Sequence, residues 1–168
     1  MNRTLRKRIA MQIFTGQLLD ELAAKASASP RGRTNFNIHA SAADPVQRFF
    51  VVANRQSYFR PHRHLSKSEL ALVLRGQFEV ITFDDRGAVT ARHVVGGDAG
   101  GFAFEIPHAT WHTLIAREDG STFLEIKEGP YDRAAAAEFA SWAPAEGESS
   151  VPQFMRWLRT AQPGEPHP

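Results

Sequence analysis

Residues 60–69 read Arg-Pro-His-Arg-His-Leu-Ser-Lys-Ser-Glu, and the reading of this stretch decides the fold. On an extended strand, side chains two residues apart point to the same face, so His62 and His64 can converge on one point. Glu69 lies five residues on, an odd spacing, so the chain must bend between 65 and 68 before the carboxylate can join them. A later strand-like run, beginning after Ile106-Pro107-His108-Ala109, offers His112 as a third imidazole. Three imidazoles and one carboxylate satisfy a first-row divalent metal and leave positions open for water or substrate. Zn, Fe, Mn, Ni and Co all accept that donor set, so it does not fix the ion's identity. Taken singly, a histidine is more often a surface or hydrogen-bonded residue, the default for His39, His93 and His167.

Working outward, residues 34–127 break into short β-rich runs separated by turns. We read strands at 34–39, 46–54, 57–62, 69–75, 77–84, 88–95, 101–106, 110–117 and 121–127. Arg75-Gly76 and Asp84-Asp85-Arg86-Gly87 are tight-turn signals, so 69–95 reads as a meander of hairpins. The glycine-rich bend at 96–101 is no phosphate loop, because no lysine-serine or lysine-threonine pair and no helix follow it. Before the strands, 15–28 reads as a short helix that Thr15 can cap, with Leu18, Leu19, Leu22 and Ala26 on one face. After Gly129-Pro130, the alanine-rich 132–140 and the segment 152–160, with Phe154, Trp157 and Leu158 on one face, read as helices packed outside the β-domain.

The longer pattern resembles a known family. His62-x-His64, four residues, Glu69, six residues and Gly76 has the spacing of the first cupin motif. Gly101, five residues, Pro107 and then His112 follows the second. Arg-Thr-Asn-Phe-Asn-Ile-His at 33–39, Asp-Pro-Val-Gln-Arg at 44–48, Tyr-Phe-Arg-Pro-His-Arg-His at 58–64, Glu-Ile-Pro at 105–107, Thr-Trp-His at 110–112 and Glu-Ile-Lys-Glu-Gly-Pro-Tyr at 125–131 together resemble the WbuC family of cupin-fold metalloproteins, over about residues 11–160. The resemblance implies a mainly β fold, the cupin double-stranded β-helix or jelly-roll barrel, with one divalent metal at its mouth held by His62, His64, Glu69 and His112. It also implies a link to O-antigen and other surface-polysaccharide biosynthesis, and a homodimer formed through the outer β-sheet. Three positions depart from the general cupin pattern: Gln56 and Ala109 replace glycines, and Ala116 replaces an asparagine. None is a ligand, but a side chain at 109 is awkward if φ there is positive.

Strand parity suggests what else lines the pocket. Tyr58 and Arg60 share parity with His62, and a guanidinium at 60 would suit a carboxylate or phosphate on a ligand. Asn35, Asn37 and His39 alternate with Phe36 and Ile38, either as a solvated edge or as hydrogen-bonding groups over the site. Glu125 and Lys127 alternate with Leu124 and Ile126, so that strand carries charge on one face. A surface salt bridge is the ordinary outcome. Inside a barrel, Lys127 would be an anion anchor or an acid/base group, and Tyr131 could close the far side. Trp111, of opposite parity to His112, reads as core.

The 168 residues suit one domain, which we place at 11–160. The basic run Arg3, Arg6, Lys7 and Arg8 reads as a flexible extension over 1–10, and the proline-rich 161–168 as a disordered tail. The absence of cysteine excludes disulfides, thiolate metal sites and a cysteine nucleophile. A net charge of +2 argues against bulk nucleic-acid binding. No signal-peptide pattern and no membrane-length apolar run is visible, so a cytoplasmic protein is expected. The expected function is a metal-dependent enzyme, isomerase- or epimerase-like, acting on a small anionic, sugar-related metabolite with Lys127 or His39 moving the proton. A non-catalytic saccharide-binding module and an Fe(II)-dependent dioxygenase are the alternatives.

Overall fold

A computed structural model of the protein describes residues 11–133 and 136–168; the extension expected at 1–10 lies outside the described residues. The chain runs α1 (Gly16–Ala28), β1 (Arg33–Asn37), β2 (Val46–Ala53), β3 (His62–Arg63), β4 (Glu69–Arg75), β5 (Gln77–Phe83), β6 (Val89–Gly96), β7 (Ala103–Ile106), β8 (Trp111–Ala116), β9 (Ser121–Glu128), β10 (Glu138–Phe139) and α2 (Val151–Thr160). The strands form two antiparallel five-stranded sheets, β1-β2-β9-β4-β7 and β10-β3-β8-β5-β6, which face each other as a jelly roll.

Alternation along the strands builds the interior. Val51, Ala53, Ala71 and Phe123 of the first sheet meet Phe78, Val80, Leu114 and Ala116 of the second. Fully burying a valine, leucine or phenylalanine contributes about 1.5–3 kcal/mol, so this layer is the main force closing the barrel. Each sheet also carries a helix on its outer face. Leu22 and Ala26 of α1 pack on Phe50 and Val52. Phe154, Met155 and Leu158 of α2, one stripe at helical spacing, pack over Tyr58, Ile81, Phe83, Trp111 and Ile115. Trp111 therefore lies in the outer core, pointing away from His112 as its parity requires.

Three local expectations are corrected. Residues 57–61 are irregular rather than a strand: the Ser57 hydroxyl donates to Gly32 O at 2.6 Å and the Tyr58 hydroxyl to Pro144 O at 2.9 Å, which ties this segment outside the ladder. Arg75-Gly76 is a corner, not a hairpin, because β4 and β5 belong to different sheets; Gly76 turns the chain with φ +66°. Of the two helices expected after residue 130, only α2 is found among the described residues. Glu138 and Phe139 instead pair as a strand with Arg63 and His62. Alanine favours helix, but the Arg63–Glu138 ion pair at 2.8 Å and the ladder to β3 win over propensity. Thr15 stands at the N-cap of α1 without a side-chain capping bond. The segment 161–168, for which the sequence suggested disorder, lies along β6: Val89 N–H donates to Glu165 O at 3.0 Å, and Gly164 N–H donates to Val89 O at 2.8 Å.

Ala109 adopts φ +59°, the left-handed conformation that its replacement of glycine made awkward. That region costs a residue bearing a side chain about 1–2 kcal/mol, and glycine's extra freedom when unfolded offsets about 0.5–1 kcal/mol of the relief. Ala109→Gly should thus stabilise the fold by about 0.5–1 kcal/mol, raising Tm by about 1–4 °C. A thermal melt showing a lowered Tm would mean this turn is not held in that conformation.

Candidate metal centre

The four expected ligands meet between the two sheets. His62 on β3 stands directly opposite His112 on β8. His64 follows β3, where its carbonyl accepts from Ala109 N–H at 2.7 Å. Glu69 opens β4 in the facing sheet, flanked in register by Ile106 and Lys127. The bend at 65–68 carries the chain from one sheet to the other, which is why the odd spacing still delivers the carboxylate. One ligand atom from each residue lies within 4.8 Å of the others.

Hydrogen bonds fix the tautomers. His62 Nδ1 lies 2.9 Å from Arg60 O, His112 Nδ1 lies 2.9 Å from Thr110 O, and His64 Nδ1 bonds Ala136 O. A carbonyl only accepts, so each Nδ1 carries the proton and each Nε2 presents its lone pair. Backbone carbonyls behind the rings are the usual supports of metal-bound histidine. Glu69 Oε1 sits 2.8 Å from His112 Nε2, and Oε2 sits 3.1 Å from His64 Nε2. These are acceptors facing acceptors, and both nitrogens are buried with no hydrogen-bond partner among the described residues. A cation between them removes the conflict, so the donor set fits a divalent metal.

The electrostatics agree. Burial, followed by the neighbouring His112, pushes the His62 imidazole down to about 3, which keeps it neutral and able to ligate. Burial alone would raise Glu69, but the His112 and His64 rings against it and the Lys127 ammonium outweigh burial and hold the carboxyl well below its usual range. Beside the site, Lys127 Nζ lies 2.6 Å from Glu125 Oε1 and 3.7 Å from Glu69 Oε2, one ammonium between two carboxylates. Burial and the Glu69 charge push Glu125 up to about 7. Burial works against the Lys127 ammonium, yet Glu125 and Glu69 raise its pKa above the usual lysine value.

Two cavities adjoin the cluster and share Lys127 and Tyr131. The first, about 470 Å³, is lined by His62 and His64 with Arg31, Arg33 and Arg60. The second, about 570 Å³, is lined by Asn35, Asn37, His39, Gln47 and Phe49. Arg60 therefore stands beside the cluster, with one Nη2–H donated to Ala140 O at 2.8 Å. Asn35 donates to the Asn37 amide oxygen at 2.9 Å, and His39 Nδ1 lies 2.9 Å from Arg48 O. Tyr58 does not join them: it is buried on the other side of the second sheet, edge-on to Phe154. Parity counted back from His62 fails because the strand begins only at His62. Sequence reasoning left Glu125 as half of a surface salt bridge, yet it is buried; its signal was shared parity with inward-facing Phe123. The supporting carbonyl of Ala136 and the Arg31–Arg33–Glu146 group could not be assembled from the sequence, because they depend on segments far apart in the chain, the start of β1 meeting the stretch before α2.

A family described as a domain of unknown function (DUF6016) matches residues 14–95. No curated protein matches the chain. Among solved structures, the chain resembles protein SO0799 from Shewanella oneidensis, with 14% identity over 79% of this chain and 89% of that one and a TM-score of 0.54. It resembles CapF bound to 3-isopropenyl-tropolone, with 17% identity, 62% of this chain, 30% of that chain and a TM-score of 0.53. CapF from Staphylococcus aureus is described as a capsular polysaccharide assembling protein. A cupin-2 domain protein of Shewanella frigidimarina matches with 18% identity over 57% of this chain and 80% of that one, at a TM-score of 0.45. The two facing antiparallel sheets are those of the cupin jelly roll.

Because His62 is held neutral down to about pH 3, the unfolded chain binds a proton there that the folded one refuses. Stability of metal-free protein from this residue is complete above the ordinary histidine value near 6.5 and falls as pH drops toward 3. His62→Gln is expected to move the midpoint of acid unfolding, followed by circular dichroism, to lower pH. An unchanged or higher midpoint would contradict the burial of a neutral ring.

Proposed function

We propose that this chain is a divalent-metal-binding cupin enzyme, isomerase- or epimerase-like, that acts on a small anionic, sugar-related metabolite. The observation that carries the reading is the convergence of three unprotonated Nε2 atoms and one carboxylate beside two polar cavities. His62, His64, Glu69 and His112 would hold the ion, which when bound supplies Lewis acidity toward a ligand oxygen. Arg60 would orient an anionic group, and Asn35, Asn37 and Tyr131 would meet hydroxyls. Lys127, kept as an ammonium by Glu125 and Glu69, is suited to donate a proton or anchor an anion, and His39 in the adjoining cavity is the candidate base. The WbuC resemblance supports a place in surface-polysaccharide (O-antigen) biosynthesis, within the cytoplasm, for a single cupin domain at 11–160. No helix among the described residues is long and apolar enough to cross a membrane.

The test is metal analysis of untagged protein purified without chelators, followed by turnover. One equivalent of metal is expected, abolished in the His62→Ala/His64→Ala double variant while the far-ultraviolet spectrum stays that of a folded β-protein. Retention of the metal would remove these ligands from the assignment. Incubation with sugar phosphates and uronates in deuterated water should then exchange a carbon-bound proton. Tight retention of a ligand without exchange would favour a saccharide-binding module. Oxygen uptake by the Fe(II)-loaded protein would favour a dioxygenase.

The assembly we infer is a homodimer through the outer face of the first sheet. Its α1 side is covered, but Leu70 is 39% and Leu74 48% exposed. Arg48, Ile126, Leu70 and Glu105 stand in one register row across β2, β9, β4 and β7. A two-fold axis parallel to the strands would set Ile126 against the other copy's Leu70 and each Arg48 against the other copy's Glu105. Sedimentation should show a dimer that Arg48→Glu dissociates and that adding Glu105→Arg restores. A wild-type monomer at micromolar concentration would defeat the proposal.

A further inference from the structure

The cavity beside the metal cluster is lined by four cationic side chains, Arg31, Arg33, Arg60 and Lys127, against one carboxylate, Glu146. Glu146 is already shared: Arg31 Nε approaches it at 2.7 Å and Arg33 Nη2 at 3.1 Å. Lys127 is matched by Glu125. Among the described residues Arg60 forms no ion pair, and its Nε–H is buried with no hydrogen-bond partner. Burial disfavours the Arg33 cation, pushing it down to about 10 even with Glu146 beside it. A cluster of guanidiniums with too few anions, including an unanswered buried donor, favours a ligand group of double negative charge with several acceptor oxygens. The cavity across Lys127 and Tyr131 has a different chemistry. It offers the side-chain amides of Asn35 and Asn37, groups that both donate and accept, with the Phe49 ring as an apolar wall; the Gln47 amide behind them is already donated to Ala42 O and Asp44 O. That lining suits an uncharged polyhydroxylated body.

Resting on the reading of the site as one for an anionic, sugar-related ligand, we propose that the ligand is bipartite and phosphorylated. Its phosphoryl group sits at Arg31, Arg33 and Arg60 beside the metal cluster, and its sugar body reaches past Lys127 into the Asn35–Asn37 cavity. The arginine group is thus a phosphate subsite separate from the four metal ligands.

The test is calorimetric titration of zinc-loaded full-length protein with glucose 1-phosphate, inorganic phosphate, glucose and glucuronate. Glucose 1-phosphate should bind at least about tenfold tighter than phosphate, glucose or glucuronate. Each charge-assisted hydrogen bond removed should weaken binding by about tenfold or more. Arg60→Ala should therefore weaken glucose 1-phosphate and phosphate alike, leaving metal content at one equivalent. Arg31→Ala, at a more exposed side chain, should show the same pattern at smaller size. Asn35→Ala with Asn37→Ala should weaken glucose 1-phosphate and leave phosphate unchanged. Phosphate affinity unaltered in both arginine variants, tighter binding of glucuronate, or no binding of glucose 1-phosphate at millimolar concentration would each overturn the proposal. Metal stoichiometry reads separately, so a protein that keeps its ion and binds glucuronate but not glucose 1-phosphate fails here alone.

Discussion

Three imidazole lone pairs and a carboxylate are forced to face one another inside the barrel, and this mutual repulsion is the constraint around which the site is organised. Glu69 stands 2.8 Å from His112 Nε2 and 3.1 Å from His64 Nε2. Without a cation, such an arrangement costs desolvation and repulsion together, and only a proton or a metal relieves it. The apolar interior formed by Val51, Phe78, Leu114 and Phe123 supplies the stability that lets the cluster persist. The two outer helices add to it by making each sheet a packed layer.

The backbone decides which atoms face inward. Arg60 O and Thr110 O each lie two residues before the histidine they bond, so the same local turn sets the tautomer at His62 and at His112. Those two residues are cross-strand partners, and the repeated device places two Nε2 atoms side by side. His64 takes its support from Ala136, beyond the last long strand, which ties the segment before α2 to the metal cluster. The short pairing of β10 with β3 serves the same end. A helix at 132–140 would have satisfied the alanines and withdrawn that segment's carbonyls into its own ladder.

The sheets were legible because period-two alternation and glycine turns are local signals. Eight of the nine expected runs lie on strands, and the ninth meets one only at His62. The ligands were legible because two lie within one strand's reach and their spacing to Glu69 fits a bend. What was hidden depended on contacts between distant residues. Tyr58 was misplaced because parity was extended through 57–61, where Ser57 and Tyr58 bond to Gly32 and Pro144 instead of a neighbouring strand. Arg75-Gly76 carries the same turn chemistry whether the chain folds back or crosses to the other sheet. Glu125 looked like half of a surface pair, and only the barrel's closure shows that both it and Lys127 lie inside.

The charges within the site are layered, and the layering follows from the strand registers. Glu69 and Glu125 sit two residues apart in depth on neighbouring strands, with Lys127 directly opposite Glu69. The floor of the site is thus anionic, while the cavity beside it carries Arg31, Arg33 and Arg60. A field directed from the arginines toward the carboxylates favours a cation low in the barrel and an anion above it, and low-dielectric walls strengthen both preferences. Lys127 stands at the boundary, close enough to the two carboxylates to remain charged and lining both cavities. Its replacement by a neutral side chain would leave two buried carboxylates facing each other, so this lysine is needed to maintain the charge separation whatever chemistry it performs.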